Sequence, residues 1–235
     1  MGLLPPSDDR TVRIGPIVLS TVGVVLLLLW IYFWHVYAPA KRSWPPVEPG
    51  AVIFLGSSTI ARLPLDLFPT VRTANLGASD MDALELRDRL AQELPADAKP
   101  SGIVLYAGSY DLRTERRGGG KPPPPPEIRD RVAALVQDLQ ARFPGIPIAL
   151  IEILPARDQT QTMREGLAEL NAGLASLARD RGLTFVRTNR PPLAAGDGNL
   201  PESMSTDSVY LNGAGYRVLA QWIQEEGGEV GTLLR

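Results

Sequence analysis

Short apolar runs alternate with amphipathic helical patterns along most of this 235-residue chain. Parallel neighbours need long crossovers, so the alternation predicts an α/β fold: a three-layer α/β/α sandwich around a mostly parallel five-stranded sheet. The apolar fraction of 44% is enough to build such a core. In chain order, the first strand lies in AVIFLGSSTI (51–60), where β-branched and large residues break into Gly56-Ser57-Ser58-Thr59. VRTANL (71–76) reads as the second strand, and MDALELRDRLAQEL (81–94) spaces its apolar residues for one helical face. SGIVLYAG (101–108) is apolar enough for a central strand. A loop with Arg116, Arg117, three glycines and then Pro122 to Pro126 follows, expected as exposed polyproline II. A helix over about 127–143, the strand IPIALIEIL (146–154), a helix over about 162–181, the strand LTFVRT (183–188) and a last helix in GYRVLAQWIQEE (215–226) complete the pattern.

Ahead of this body, residues 1–13 form a short tail and 14–37 a predicted transmembrane anchor. Between Arg13 and Lys41 there is no charged residue, and roughly 20 apolar residues suffice to cross a bilayer. Trp30, Tyr32, Phe33, Trp34 and Tyr37 gather at one end as an interfacial belt does. Ala38-Pro39-Ala40 resembles a cleavage site, but the apolar stretch is too long for a signal peptide. Basic residues flank the span on both sides and leave orientation undecided; analogy with single N-terminal anchors places the body outside the cytoplasmic membrane. Residues 38–50, with four prolines, read as a stiff linker to a domain over 51–235.

Composition excludes several function classes. Lys and Arg total 24 against 26 Asp and Glu, a formal charge of −2, so no basic field recruits nucleic acid. The absence of Cys excludes disulfides, thiolate ligands and cysteine catalysis, and one histidine, His35, cannot make a zinc site of the usual ligands. No cofactor is called for.

In an open parallel sheet the ligand crevice lies at the carboxyl ends of the strands. Ser58, just past the first strand, is therefore a candidate nucleophile; the alternative is that the serines only cap a helix. Asn75 to Ser79 follow the second strand, Gly108-Ser109-Tyr110-Asp111 the third, and Asp207 to Asn212 precede the last helix. Asp80 and Asp82 read as helix N-terminal charges, and Asp111 as a residue that holds its own turn.

From Val52 to Ile223 these motifs resemble the SGNH or GDSL hydrolase superfamily of esterases and lipases. The resemblance implies Ser58 as nucleophile, with its own amide and that of Gly77 in the oxyanion hole. The family's third motif commonly reads Tyr-Ala-Gly-Glu-Asn-Asp-Leu, but this chain reads YAGSYDL, with Tyr110 at the oxyanion asparagine. The fourth is Asp-x-x-His followed by Leu-Asn and Gly-Tyr; here Asp207 is followed by Tyr210, and LNGAGYRVLAQWI keeps the alignment in place. Serine acyl transfer needs a base that accepts a proton near neutral pH, and a phenol with pKa near 10 does not. In a serine protease, loss of the base costs about 10⁶ in turnover and loss of an oxyanion donor about 10² to 10³. His35 reaches the site only by folding back the linker, which spans at most ~45 Å extended, and Asp207 is a weak base.

The expected protein is thus a membrane-anchored, hydrolase-like scaffold, impaired or inactive as an esterase, whose crevice suits an acylated or carbohydrate ligand. The competing expectation is a working esterase or acetylesterase using Ser58 with an unconventional base. A third is a domain that merely presents the proline loop or anchor to a protein partner. Tyrosines packed over Ser58 favour binding; an open Ser58 with a carboxylate in reach favours chemistry.

Overall fold

A computed structural model of the chain describes residues 23–30, 44–113 and 121–235. The chain divides into two units, residues 1–43 and 44–235. In the first, residues 23–30 are helical with every side chain exposed; the rest of the predicted anchor, His35 included, lies outside the described residues. No helix among the described residues is long and apolar enough to cross a membrane.

The second unit is a three-layer sandwich. Its strands are β1 (Val52–Gly56), β2 (Thr73–Gly77), β3 (Gly102–Tyr106), β4 (Ile148–Ile151) and β5 (Thr184–Val186), in the order β2-β1-β3-β4-β5, all parallel. The helices are α1 (Ser58–Ala61), α2 (Ala83–Glu93), α3 (Pro125–Arg142), α4 (Gln161–Arg181), α5 (Gly213–Glu226) and α6 (Gly228–Leu233). Helices α2, α3 and α4 pack side by side on one face; α5 and α6 pack together on the other. Every residue of β1, β3 and β4 is buried, whereas edge strand β2 alternates. That is why the first, third and fourth strands read as unbroken apolar runs.

Local chemistry sets the element ends. Asp82 caps α2, accepting from Leu84 N–H and Glu85 N–H while Glu85 reaches back to the Asp82 amide, a full capping box. Thr160 caps α4, and Gly182, in the left-handed region at φ 68°, ends it. The proline run does not stay polyproline II throughout. Pro124 has that geometry, but Pro125 and Pro126 open α3, because the first helical turn leaves its N–H groups unbonded in any case. The strands are shorter than the apolar runs containing them, and α6 extends the fold beyond the last predicted helix.

Trp44–Gly50 lie against the domain rather than free of it. Trp44 N–H donates to Glu93 (2.9 Å), the Arg89 guanidinium lies 4.9 Å from the Trp44 ring, and Gly50 N–H bonds Lys99 O (2.8 Å).

The register places the site. Gly56 pairs with Gly77 on one side and Tyr106 on the other, so β1, β2 and β3 end level and their following loops meet at one crevice.

Candidate functional site

Close backbone approach forms the crevice floor. A Cβ on Gly56 would overlap the Tyr106 carbonyl oxygen, and one on Gly77 would overlap the backbone of Ala61 in α1. Glycine is needed at Gly56 for this approach rather than for a sharp turn. Asn75 then locks α1 to β2: its side chain donates to Ile60 O (2.7 Å) and Leu63 O (3.3 Å) and accepts the Gly77 N–H (2.8 Å). An oxyanion at the Gly77 amide would have to share that donor.

Ser57 occupies the N-cap position of α1 but makes no capping bond. Its hydroxyl instead pairs with that of Ser109 at 2.7 Å, tying the loop after β1 to the loop after β3. Ser58 is 3% exposed, and its Oγ accepts the Asp80 N–H at 3.2 Å. Asp80 adopts φ 58°, a left-handed conformation rare outside glycine, which aims its amide at this hydroxyl. The serines are thus not mere helix caps.

Ser58 lines a cavity of about 260 Å³ together with Tyr106, Ser109 and Arg113, under walls from Leu112, Ile153, Leu154, Pro155, Met163, Leu167 and Val209. Tyr106 hydroxyl accepts the Leu154 N–H (3.3 Å), and Tyr216 hydroxyl donates to Thr59 O (3.0 Å). Burial pushes both phenols above their ordinary value, so each stays protonated at neutral pH and neither is a base.

The other predicted site residues come to the same mouth. Tyr110 is buried at 6% exposure, while Tyr210 is half-buried. The Arg113 guanidinium lies 5.5 Å from the Tyr110 ring centroid and 5.7 Å from that of Tyr210, and Arg62 lies 3.7 Å from the Tyr210 ring. Neither tyrosine is part of the cavity wall around Ser58. Asp207 turns to its own loop, accepting Val209 N–H and Tyr210 N–H at 2.8 Å each. Desolvation works to raise its pKa, but the two amides and the nearby Arg62 and Arg113 charges outweigh it and hold the carboxyl below its usual value.

Asp111 does more than hold its turn. It is fully buried, accepts the Ala83 N–H of α2 (3.0 Å) and pairs with Arg131 of α3 (3.2 Å). Arg131 in turn bonds Glu127 (2.6 Å). Sequence reasoning missed this role, and the roles of Arg62 and Asn75, because each acts across the sheet rather than along the chain. Among the described residues no group of three or more His, Cys, Asp or Glu is placed to hold a metal.

The family model for GDSL-like lipase/acylhydrolases matches residues 55–218. The chain belongs to this family. Similar solved structures include a Streptococcus pneumonia protein described provisionally as a platelet activating factor (23% identity, 87% of this chain and 98% of that one covered, TM-score 0.65). A lipase/acylhydrolase from Enterococcus faecalis follows at 16% identity, covering 79% of this chain and 97% of that one, TM-score 0.62. An acetyl-xylooligosaccharide esterase from Geobacillus Stearmophilus, a mutant form, matches at 16% identity over 77% and 95%, TM-score 0.60. At these identities the likeness is one of fold. No curated protein sequence matches the chain.

Proposed function

We propose that this protein is a membrane-anchored GDSL-like acylhydrolase scaffold whose crevice binds an acylated ligand, with ester hydrolysis impaired or lost. The observation that carries the reading is the surroundings of Ser58. Its hydroxyl is met by an amide that donates to it, and the position where the motif resemblance implies a histidine holds Tyr210, its ring 3.7 Å from the Arg62 guanidinium. A phenol donates a hydrogen bond but does not take the place of imidazole as a proton acceptor. Asp207, the remaining carboxylate of the motif, is held below its usual pKa, and its Oδ1 accepts two backbone amides of its own loop.

The test is hydrolysis of short-chain p-nitrophenyl esters by the full chain, by Ser58→Ala, and by the double variant Tyr110→Asn with Tyr210→His. The expected outcome is wild-type turnover no different from Ser58→Ala, and Ser58-dependent turnover in the double variant. Ser58-dependent wild-type turnover well above background would overturn the impaired reading and require a base outside the motif.

A further inference from the structure

The family motif does not account for the two arginines at the crevice mouth. At 3.7 Å, the Arg62 guanidinium carbon lies against the face of the Tyr210 ring, while Arg113 straddles Tyr110 and Tyr210. A guanidinium carries five N–H donors, and contact with a ring does not supply the oxygen acceptors they seek. Neither Arg62 nor Arg113 donates a side-chain hydrogen bond to any described residue. Both face acidic groups that satisfy them poorly. Asp80 stands 3.8 Å from Arg113, beyond hydrogen-bond distance. Asp207 has one carboxylate oxygen taken by the Val209 and Tyr210 amides. The Arg113 side chain is 29% exposed and lines the cavity that holds Ser58. An apolar cavity with the Arg113 guanidinium in its wall, and with Arg62 against the same Tyr210 ring, has the polarity of an amphiphile carrying a negative charge.

We propose that the mouth formed by Arg62 and Arg113 holds an oxyanion, carboxylate or phosphoryl, on a ligand whose short apolar chain fills the cavity beside Ser58. This rests on the acyl-ligand reading above and adds the charge of the ligand and the residues that read it. The cavity, about 260 Å³, falls below the range of drug-sized sites, which limits the apolar part to a short chain. A single guanidinium donates two parallel hydrogen bonds to a carboxylate or phosphoryl oxyanion, a geometry an ammonium does not reproduce.

The experiment measures binding by calorimetry to the full chain in nanodiscs of zwitterionic lipid, using hexanoate, hexyl phosphate, hexanol and hexyltrimethylammonium. At least one of the two anions is expected to bind ten-fold or more tightly than hexanol, and the tighter one identifies the oxyanion. Arg113→Gln and Arg62→Gln should each weaken that anion about ten-fold or more while leaving hexanol unchanged, and added salt should weaken the anion alone. Arg62 is exposed at the surface, so Arg62→Gln keeps the test open if Arg113→Gln fails to fold. Hexanol or the cation binding as tightly as both anions overturns the charge assignment and leaves the acyl-ligand reading standing. Absence of binding by all four probes overturns both.

Discussion

At Gly56 a side chain has no room: a Cβ there would overlap the Tyr106 carbonyl oxygen of β3 and the Ile60 side chain of α1. The Tyr106 carbonyl cannot yield without disturbing Ser57, whose N–H it accepts at 3.2 Å. Gly56→Ala is therefore expected to destabilise the fold by about 1–3 kcal/mol or more, the usual range for overpacking. Gly196, with open space around its Cα and no left-handed φ, is the control; Gly196→Ala is expected to leave stability unchanged or raise it by up to about 1 kcal/mol. Urea denaturation of both variants decides the matter, and a Gly56→Ala variant as stable as Gly196→Ala would mean that the overlap is relieved locally. At this scale Gly56 and Ser58 were legible from the strand-to-turn break in the sequence. Ser57 was not: its hydroxyl bonds Ser109 across the crevice, a partner 52 positions away.

Between elements, the ionic cluster under the crevice joins the turn after β3 to two helices. Asp111 receives the Ala83 amide of α2 and the Arg131 guanidinium of α3; Asp82 caps α2 and lies 3.7 Å from the same arginine. Removing Asp111 leaves the buried Ala83 amide without its acceptor and takes one of three carboxylates from Arg131, which typically costs about 1–3 kcal/mol. Asp111→Ala is expected to lose that much in a chemical denaturation series. Pairing it with Arg131→Met should recover part of the loss. A loss under about 1 kcal/mol for Asp111→Ala alone would show that solvent reaches the cluster. Arg131 also holds Glu127, one position after the proline run, so one side chain ties down the turn before the loop and the helix after it.

For the whole molecule, the two units have separate expectations. The domain's entry segment is docked on α2 through Trp44 and Glu93, so the chain joins the folded body by residue 44, ahead of the strand that begins it. The long uncharged apolar stretch ahead of it carries the membrane proposal, and carbonate extraction of cells expressing the full chain tests it. The full chain is expected in the membrane pellet after extraction and a chain lacking residues 14–37 in the soluble fraction; full-length protein released by carbonate would sink the anchor.

The chain's alternation of apolar runs and helical faces was enough to determine a parallel three-layer sandwich, because both depend on local periodicity and on crossover length. The motif spacing likewise put Ser58 and Gly77 at strand ends and Tyr110, Asp207 and Tyr210 in loops; of these, Ser58 lines the cavity and the two tyrosines flank Arg113 of its wall. Only the tertiary structure decided what those groups do to each other. Asp207 is spent on its own loop, Asn75 occupies the Gly77 amide, and Arg62 and Arg113 converge on Tyr210 from separate segments. Such meetings depend on which loops the sheet register brings level, and distance in space is not written in the order of residues along a chain.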